Sequence, residues 1–239
     1  MKEKIFKLSS IIIFILCIVI ISSYLLSEFS NKIVIDIEQK IIILSIFSVM
    51  LYLSSVLYNI STHNKYKFKI VKITNFILFS VYLYLLILVT FFDSLLGRNI
   101  SSITILNREE IISYIDYGFN IVPFKTIFSY ITRLLNGNLN LSIFIKNIGG
   151  NLIMLMPFAL FILILNDKIK LKSFIKTVFI VSICIEVLQF ITQSGSCDID
   201  DIILNVLGAT IMIRILQTKK IKRLILYIFN QKFLKHSID

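Results

Sequence analysis

Long apolar runs constrain the fold of this chain more than any other feature of its sequence. Hydrophobic residues make up 57% of its 239 residues. Runs of about 20 apolar residues are long enough to cross a bilayer as helices. Several are apolar on every side, unlike the one-sided helices of soluble proteins. We therefore predict an all-α integral membrane protein. The six predicted transmembrane segments are residues 9–27, 41–60, 73–92, 148–165, 174–192 and 202–216.

The connections between these segments alternate in charge, which predicts their orientation. Cytoplasmic loops carry an excess of Lys and Arg, so every second connection and both termini are predicted to be cytoplasmic. The same rule explains the net charge of +11 without a nucleic-acid partner. His63 and His236 fall on the cytoplasmic side. The basic clusters are Lys2, Lys4 and Lys7; Lys65, Lys67, Lys69 and Lys72; Lys168, Lys170, Lys172 and Lys176; and Lys219, Lys220, Lys222 and Arg223. The acidic residues of the other connections are Glu28, Asp36 and Glu38; Glu109, Glu110 and Asp116; and Asp198, Asp200 and Asp201.

One connection, residues 93–147, is much longer than the others. Ile112 and Ile115 belong to an apolar pattern of helical spacing, which predicts an amphipathic helix on the outer surface. Pro123 then interrupts the chain. Residues 124–135 resume an apolar pattern that is too short to span, so we predict a re-entrant or interfacial segment.

The two ends of the chain carry further signals. The basic stretch Met1 to Lys7 leads into an apolar run without a small-residue cleavage site, which predicts a retained first span. Residues 219–235 are either a basic amphipathic helix on the inner membrane surface or a solvated tail. We predict three regions: a two-span extension in residues 1–72, a four-span domain in residues 73–217 and a basic cytoplasmic tail in residues 218–239.

The three cysteines are far apart and lack metal-ligand spacing. Cys17 and Cys184 lie inside apolar runs and are expected to be buried as small hydrophobic residues. Cys197 lies in a predicted outer loop. Neither a structural disulfide nor a zinc site is expected from this pattern.

Polar residues from four separate parts of the sequence converge, in this topology, on the outer leaflet. Glu186 and Gln189 share a helical face in the last turns of the fifth segment, and an acidic loop follows. The sixth segment begins there, and the fourth segment begins there with two glycines, Gly149 and Gly150, expected to allow close packing. The polar residues concerned are Asn120, Lys125, Asn147, Asn151, Glu186, Gln189, Asp198, Asp200, Asp201 and Asn205.

Each of these residues has a structural interpretation as well as a functional one. Asp200 or Asp201 is suited to cap the sixth helix, although three acids exceed what one cap needs. Asn151 and Asn205 are suited to join helices by hydrogen bonds. Glu186 is a functional candidate because it is ionisable within a span, unless Lys125 or Arg133 pairs with it.

The motifs "NIVPFKTI", "NIGGNLIMLMPFALFI", "IEVLQF" and "DIDDIILNVLGA", in this order, resemble the VanZ-like family of bacterial membrane proteins. The resemblance covers residues 73–216. Many relatives carry an Arg before the acidic motif, but "TQSGSC" has none, so a cationic partner is either missing or supplied by Lys125. The resemblance implies reduced susceptibility to glycopeptide antibiotics, teicoplanin in particular. The matching family positions are Asn120, Pro123, Phe124, Asn151, Pro157, Glu186, Gln189, Asp198, Asp200, Asp201, Asn205 and Gly208.

Two classes of function remain open from the sequence. In the first, a non-catalytic envelope protein binds membrane lipid, a lipid-linked cell-wall precursor or a lipoglycopeptide through Asn120, Lys125, Asn151, Glu186, Gln189 and Asn205. In the second, a membrane enzyme acts on a lipid or wall substrate. Its catalytic candidates are Glu186, Asp198, Asp200 and Asp201, with Mg²⁺ or Ca²⁺ on Asp198, Asp200 and Asp201. A transporter is a third class, disfavoured because two matching broken helices are missing.

Overall fold

The computed structural model describes residues 2–30, 35–61, 67–92 and 108–229. The chain divides into two compact units, one formed by Met1–Leu85 with Lys219–Asp239 and the other by Leu86–Thr218. Almost all of the described chain is helical, which confirms the predicted all-α class. His63, His236, residues 93–107 of the long connection and residues 230–239 of the predicted tail lie outside the described residues. The predicted three-region division stays a prediction.

In its described residues, the first unit contains three long helices and a short one. They are α1 (Lys2–Glu28), α2 (Ile37–Ser61), α3 (Lys67–Phe92), whose last residues from Leu86 belong to the second unit, and α11 (Lys219–Phe229). The Ser10 hydroxyl donates to the Ser54 carbonyl at 2.9 Å, and the Ser54 hydroxyl donates to the Ser10 carbonyl at 3.1 Å. These bonds join the beginning of α1 to the end of α2, so the two helices are antiparallel.

Two further contacts order the same unit. The Tyr24 and Tyr84 hydroxyls are 2.8 Å apart, which brings the later halves of α1 and α3 together. The last carbonyls of α11 have no donors within their own helix. The Tyr52 hydroxyl donates to the Ile228 carbonyl at 2.9 Å, and Asn75 Nδ2 donates to the Phe229 carbonyl at 3.0 Å. These bonds hold α11 in place as a packed amphipathic helix.

The second unit contains the remaining elements. They are α4 (Arg108–Gly118), β1 (Phe119–Asn120), α5 (Lys125–Leu135), α6 (Leu141–Phe144), a π-helical turn (Ile145–Gly149), α7 (Gly150–Met154), α8 (Met156–Leu165), α9 (Leu171–Ile191), β2 (Cys197–Asp198) and α10 (Ile199–Leu216). Helix α10 lies at the centre, packed against α7, α8 and α9. The predicted amphipathic helix on the long connection corresponds to α4.

Within the described ranges, five helical stretches are long and apolar enough to span a membrane. They are Lys2–Glu28, Ile37–Ser61, Phe68–Phe92, Leu141–Leu165 and Leu171–Ile191. The sixth predicted segment corresponds to α10, whose 18 residues include Asp200, Asp201 and Arg214. The chain is therefore a multi-pass membrane protein.

The fourth predicted segment differs from the sequence expectation in two respects. It begins at Leu141 and not at residue 148, because α6 and the π-helical turn continue directly into α7. It also changes direction at Leu155, where φ is −98° and ψ is 6°. Pro157 follows this bend, and its ring cannot donate the hydrogen bond that a continuous helix requires there.

The close helix contact lies at Gly208 and not at Gly149 or Gly150 as predicted. A Cβ atom on Gly208 would be 1.7 Å from the carbonyl oxygen of Leu152, whereas a Cβ on Gly150 would have no neighbour within 4 Å. Gly208 therefore allows the backbones of α10 and α7 to approach each other. At Gly149 and Gly150 no other helix comes this close to the backbone, so neither glycine is needed for a close helix contact.

All three cysteines are free thiols. Cys17 is buried as predicted, but the expected burial of Cys184 is wrong. Cys184 lies on the same exposed side of α9 as Ile180 and Val187, so its environment is the surface of the helix bundle. An apolar run shows that a segment can enter a membrane without showing which of its sides faces another helix.

Candidate functional site

Asp198 connects three parts of the second unit. It is the N-cap of α10, and its Oδ1 accepts the Asp200 backbone N–H at 2.9 Å. Asn120 Nδ2 donates to the same oxygen at 2.9 Å, and the Thr126 hydroxyl donates to Oδ2 at 2.5 Å. The expected cap is therefore present but is provided by Asp198 and not by Asp200 or Asp201. Asp198 also ties the long connection to the start of α10.

Asp200 serves a different helix from its own. Its carboxylate accepts the backbone N–H groups of Phe124, of Thr126 at 2.8 Å and of Ile127 at 3.0 Å. These groups form the first turn of α5, where N–H groups lack intrahelical partners and the helix dipole favours an anion. Phe124 precedes α5 with φ of 66°, which helps these N–H groups point towards one carboxylate. Asp200 is fully buried.

Glu186 stabilises the turn that presents Asp198. Its Oε2 accepts the Asp198 backbone N–H at 3.1 Å, and Glu186 is only 1% exposed. Beside it, Phe119–Asn120 pairs in parallel with Cys197–Asp198 as a two-residue β-bridge. Burial raises the pKa of the Cys197 thiol, and the Glu186 and Asp198 carboxylates raise it further. The loop after α9 is thus fixed to β1 through both backbone and side-chain contacts.

Gln189 and Tyr114 extend this network to two other elements. Gln189 Nε2 donates to the Thr90 carbonyl near the end of α3 at 2.9 Å. The Tyr114 hydroxyl is 3.0 Å from the carbonyl oxygens of both Phe190 and Gly195. Sequence reasoning missed Thr90 and Tyr114. Thr90 contributes a backbone carbonyl, which no sequence pattern marks, whereas Tyr114 was a polar group on the apolar side of a predicted amphipathic helix.

Asn205 on α10 and Asn151 on α7 are buried between helices and lie outside this network. Asn205 is 0% exposed, and its amide oxygen and nitrogen have no hydrogen-bond partner in the part of the chain that is described. Ser182 on α9 is buried in the same way. Asn151 is 6% exposed on α7. The structure therefore brings Asn120, Glu186, Asp198 and Asp200 into one hydrogen-bonded network and places the two asparagines outside it.

Asp201 and the cationic side chains of α5 lie at the edge of the network. Asp201 is half-buried. Burial raises the pKa of the Tyr130 phenol, and the nearby Asp201 carboxylate raises it further. Lys125 is exposed and forms no ion pair with a described residue, and the same holds for Arg133. The alternative in which Glu186 pairs with Lys125 or Arg133 is therefore not what the structure has: Glu186 accepts a backbone N–H, and both cationic side chains are exposed.

The network satisfies its carboxylates with hydrogen-bond donors. Four of the acceptor positions on Asp198 and Asp200 are occupied by backbone N–H groups, and two more by Asn120 and Thr126. Among residues 2–30, 35–61, 67–92 and 108–229, no group of three or more His, Cys, Asp or Glu residues is placed to hold a metal ion. The donor set fits structural carboxylates better than a Mg²⁺ or Ca²⁺ centre. The proposed catalytic, ligand-binding and metal roles stay predictions.

An apolar groove begins directly beside the network. It has a volume of about 350 Å³ and lies between α9 and α10. Along α10 it extends from Ile199 to Thr210, a rise of about 16 Å at 1.5 Å per residue. Its lining residues are Ile175, Phe179, Ile199, Ile202, Ile203, Val206, Leu207 and Thr210. Thr210 is the one polar residue of this lining, so the groove is almost entirely apolar.

Comparison with known proteins identifies one family. The family described as VanZ/LLP1 matches residues 79–220, a range that contains the whole network and the groove. No curated protein and no solved structure matches the chain.

Proposed function

Because the chain belongs to the VanZ/LLP1 family, we propose that it is a non-catalytic envelope protein that binds a lipid-linked cell-wall precursor at the extracytoplasmic leaflet. By binding this precursor, the protein alters the access of glycopeptide antibiotics to their target. The observation that carries the proposal is the saturation of Asp198 and Asp200 by donors within the chain. We call the bonds from Asp200 to the first turn of α5 the clamp. The clamp positions α5, and it leaves the side chains of Lys125 and Arg133 available to a ligand.

The proposal includes a six-span topology with both termini in the cytoplasm. The bond from Gln189 to Thr90 brings the ends of α9 and α3 to one level, and Gly208 brings α10 against the beginning of α7. At the opposite end of α10, Gln217 donates to the Ile169 carbonyl at 3.2 Å in the connection between α8 and α9. That connection is rich in lysine, as a cytoplasmic loop is expected to be. Helix α10 is then the sixth span.

In this topology α5 is the predicted interfacial segment. It has 11 residues and none of its side chains is buried. Phe128 and Leu135 are 62% and 79% exposed on its apolar side, which suits contact with lipid at the level of the head groups. A short helix at that depth needs hydrogen-bond acceptors for the N–H groups of its first turn. The Asp200 carboxylate provides these acceptors for α5.

The groove and the cations of α5 support a lipid with an anionic head group. A lipid chain gains little by leaving other lipid for the groove, because both surroundings are apolar. The head group must therefore provide the discrimination. Lys125 and Arg133 are exposed on α5, and both can donate to phosphate oxygens. The groove fixes the position of the chain, while α5 recognises the phosphate.

The functional test compares teicoplanin with vancomycin in a deletion strain that is complemented by variants. We expect deletion to lower the inhibitory concentration of teicoplanin several-fold more than that of vancomycin, because a lipid-level effect responds to the lipid tail of teicoplanin. Lys125→Gln should fail to complement, whereas Lys168→Gln, the same change at the opposite end of this unit, should complement fully. Equal inhibitory concentrations in all strains for both drugs would exclude the resistance function.

A second set of variants tests the groove and the acidic residues. Val206→Trp fills the groove and should abolish complementation, while Ile211→Trp, on an exposed position of α10 outside the groove, should be tolerated. Glu186→Gln keeps an oxygen that can accept the Asp198 N–H, and Asp201→Asn changes a residue at the edge of the network, so both should complement. Loss of the phenotype in either variant with normal expression and a normal oligomer profile would favour a functional carboxylate. Complementation by Val206→Trp would disprove binding in the groove, and turnover of a lipid substrate by the purified protein would favour an enzyme.

A further inference from the structure

The first unit contains a cavity that lies outside the range matched by the family. It has a volume of about 280 Å³, is open on one side, and lies between the beginnings of α1 and α3 and the end of α2. Its lining residues are Ser10, Ile11, Phe14, Leu51, Ser54, Ser55, Tyr58, Ile70 and Thr74. Apolar side chains and hydroxyl groups therefore share one cavity wall.

The hydroxyl groups in this wall do more than join helices. Ser10 and Ser54 bond to each other's carbonyls and seal the contact between α1 and α2. Thr74 is 5% exposed and adds a further hydroxyl group to the lining. A polar group in an apolar setting is stabilised by hydrogen bonds, so a wall that carries hydroxyl groups favours a ligand with oxygen atoms.

The end of the unit that contains the cavity is positively charged. Lys7 lies one turn before the cavity residues of α1 and on their side of the helix, and Lys69 and Lys72 lie in the first turns of α3, which also carry Ile70. All three lysines are exposed. Glu3 is the acidic residue of the first turn of α1, so the cations outnumber it. An anionic group at the mouth of the cavity would meet favourable charge on two sides.

We propose that this cavity binds an anionic phospholipid from the leaflet that this end of the unit faces. The phosphate lies near Lys7, Lys69 and Lys72, and the glycerol and ester oxygens meet the hydroxyl groups. The first methylenes of the chains pack on Ile11 and Phe14. The volume is near the lower limit of small-molecule pockets, which suits the head-group region of one lipid while its chains remain in the bilayer. The inference is independent of the function proposed for the second unit.

A tryptophan reporter can test this site directly, because the chain contains no tryptophan. Phe14→Trp places one fluorophore at the cavity in the full-length protein, reconstituted into vesicles that contain brominated phosphatidylglycerol or brominated phosphatidylcholine. We expect stronger quenching by the anionic lipid, reversed by salt. Val49→Trp, on an exposed position of α2 outside the cavity, is the matched control and should be quenched equally by both lipids.

Lysine variants then identify the cause of the preference. Lys7→Gln should lower the anionic preference at Phe14→Trp by up to about fivefold, the effect of one lysine near an anionic surface, and the variant that changes Lys7, Lys69 and Lys72 together should lose it. Native mass spectrometry of the chain with and without the three lysine changes gives a second measurement if the introduced indole itself occupies the cavity. Equal quenching by both lipids together with equal lipid retention in the lysine variant would overturn the proposal, as would a preference for the zwitterionic lipid.

Discussion

Replacing Gly208 by alanine tests the packing at the centre of the family-matched unit. The added Cβ would lie 1.7 Å from the carbonyl oxygen of Leu152, 2.8 Å from its carbonyl carbon and 3.3 Å from its Cα. All three atoms are backbone and cannot rotate away. Carbon–oxygen contacts are ordinarily about 3.3 Å or longer, so α10 and α7 must separate by roughly 1.5 Å.

The magnitude follows from two opposing effects. Overpacking of a close contact costs about 1–3 kcal/mol, and a clash with rigid backbone belongs at the upper end. Alanine also improves the intrinsic helix propensity over glycine by about 1 kcal/mol. The net loss for Gly208→Ala is therefore about 2 kcal/mol, or roughly a 30-fold shift in the unfolding equilibrium.

Gly150→Ala is the matched control, because Gly150 is also helical and a Cβ there would have no neighbour within 4 Å. It gains the helix propensity without the clash and should be as stable as the wild type or slightly more stable. Steric trapping of the purified variants in bicelles measures both free energies of unfolding. If Gly208→Ala matched the stability of the wild type, the close approach of α10 and α7 would be wrong.

Three further predictions concern the carboxylate network. Asp200→Asn replaces one of the two oxygens that accept three N–H groups, and it should lower the free energy of unfolding by about 2–3 kcal/mol. Hydrogen exchange at the Thr126 and Ile127 amides should accelerate, and unchanged protection there would argue against the bonds from Asp200 to α5. Because burial and Glu186 raise the pKa of Cys197, labelling of intact cells by an impermeant maleimide should be slow at neutral pH and rise through the alkaline range. Glu186→Gln should lower that pKa and speed labelling; reactivity only after lysis would reverse the topology. Tyr114→Phe removes one hydroxyl donor and should lower the free energy of unfolding by about 1 kcal/mol, measured by thermal unfolding. An unchanged stability would mean that the loop after α9 does not depend on the Tyr114 hydroxyl.

The sequence predicted apolar helices, and five of those in the described residues are long and apolar enough to span a membrane, because burial in lipid requires continuous apolar runs, which are visible locally. It also predicted that "NIVPF" and "DIDD" lie at one end of the helices, and Asn120 and Asp198 do bond there. It could not predict that Asp200 serves α5 and not its own helix, because that choice depends on residues more than 70 positions away. The sequence left open whether a cationic partner for the carboxylates is missing or is supplied by Lys125. Most of the donors are backbone N–H groups, which no residue type reveals.

The clamp between Asp200 and α5 also sets an order of events during synthesis. Phe124 N–H and the Asp200 carboxylate are 76 residues apart in the chain. At a translation rate of about 5–20 residues per second, the ribosome adds Asp200 some 4–15 s after Phe124. During that interval the first turn of α5 has neither its anion nor a paired β1 strand. The first turn of α5 therefore cannot reach its final hydrogen bonding until Asp200 has been made, so the order of this early segment depends on a residue that the ribosome has yet to add.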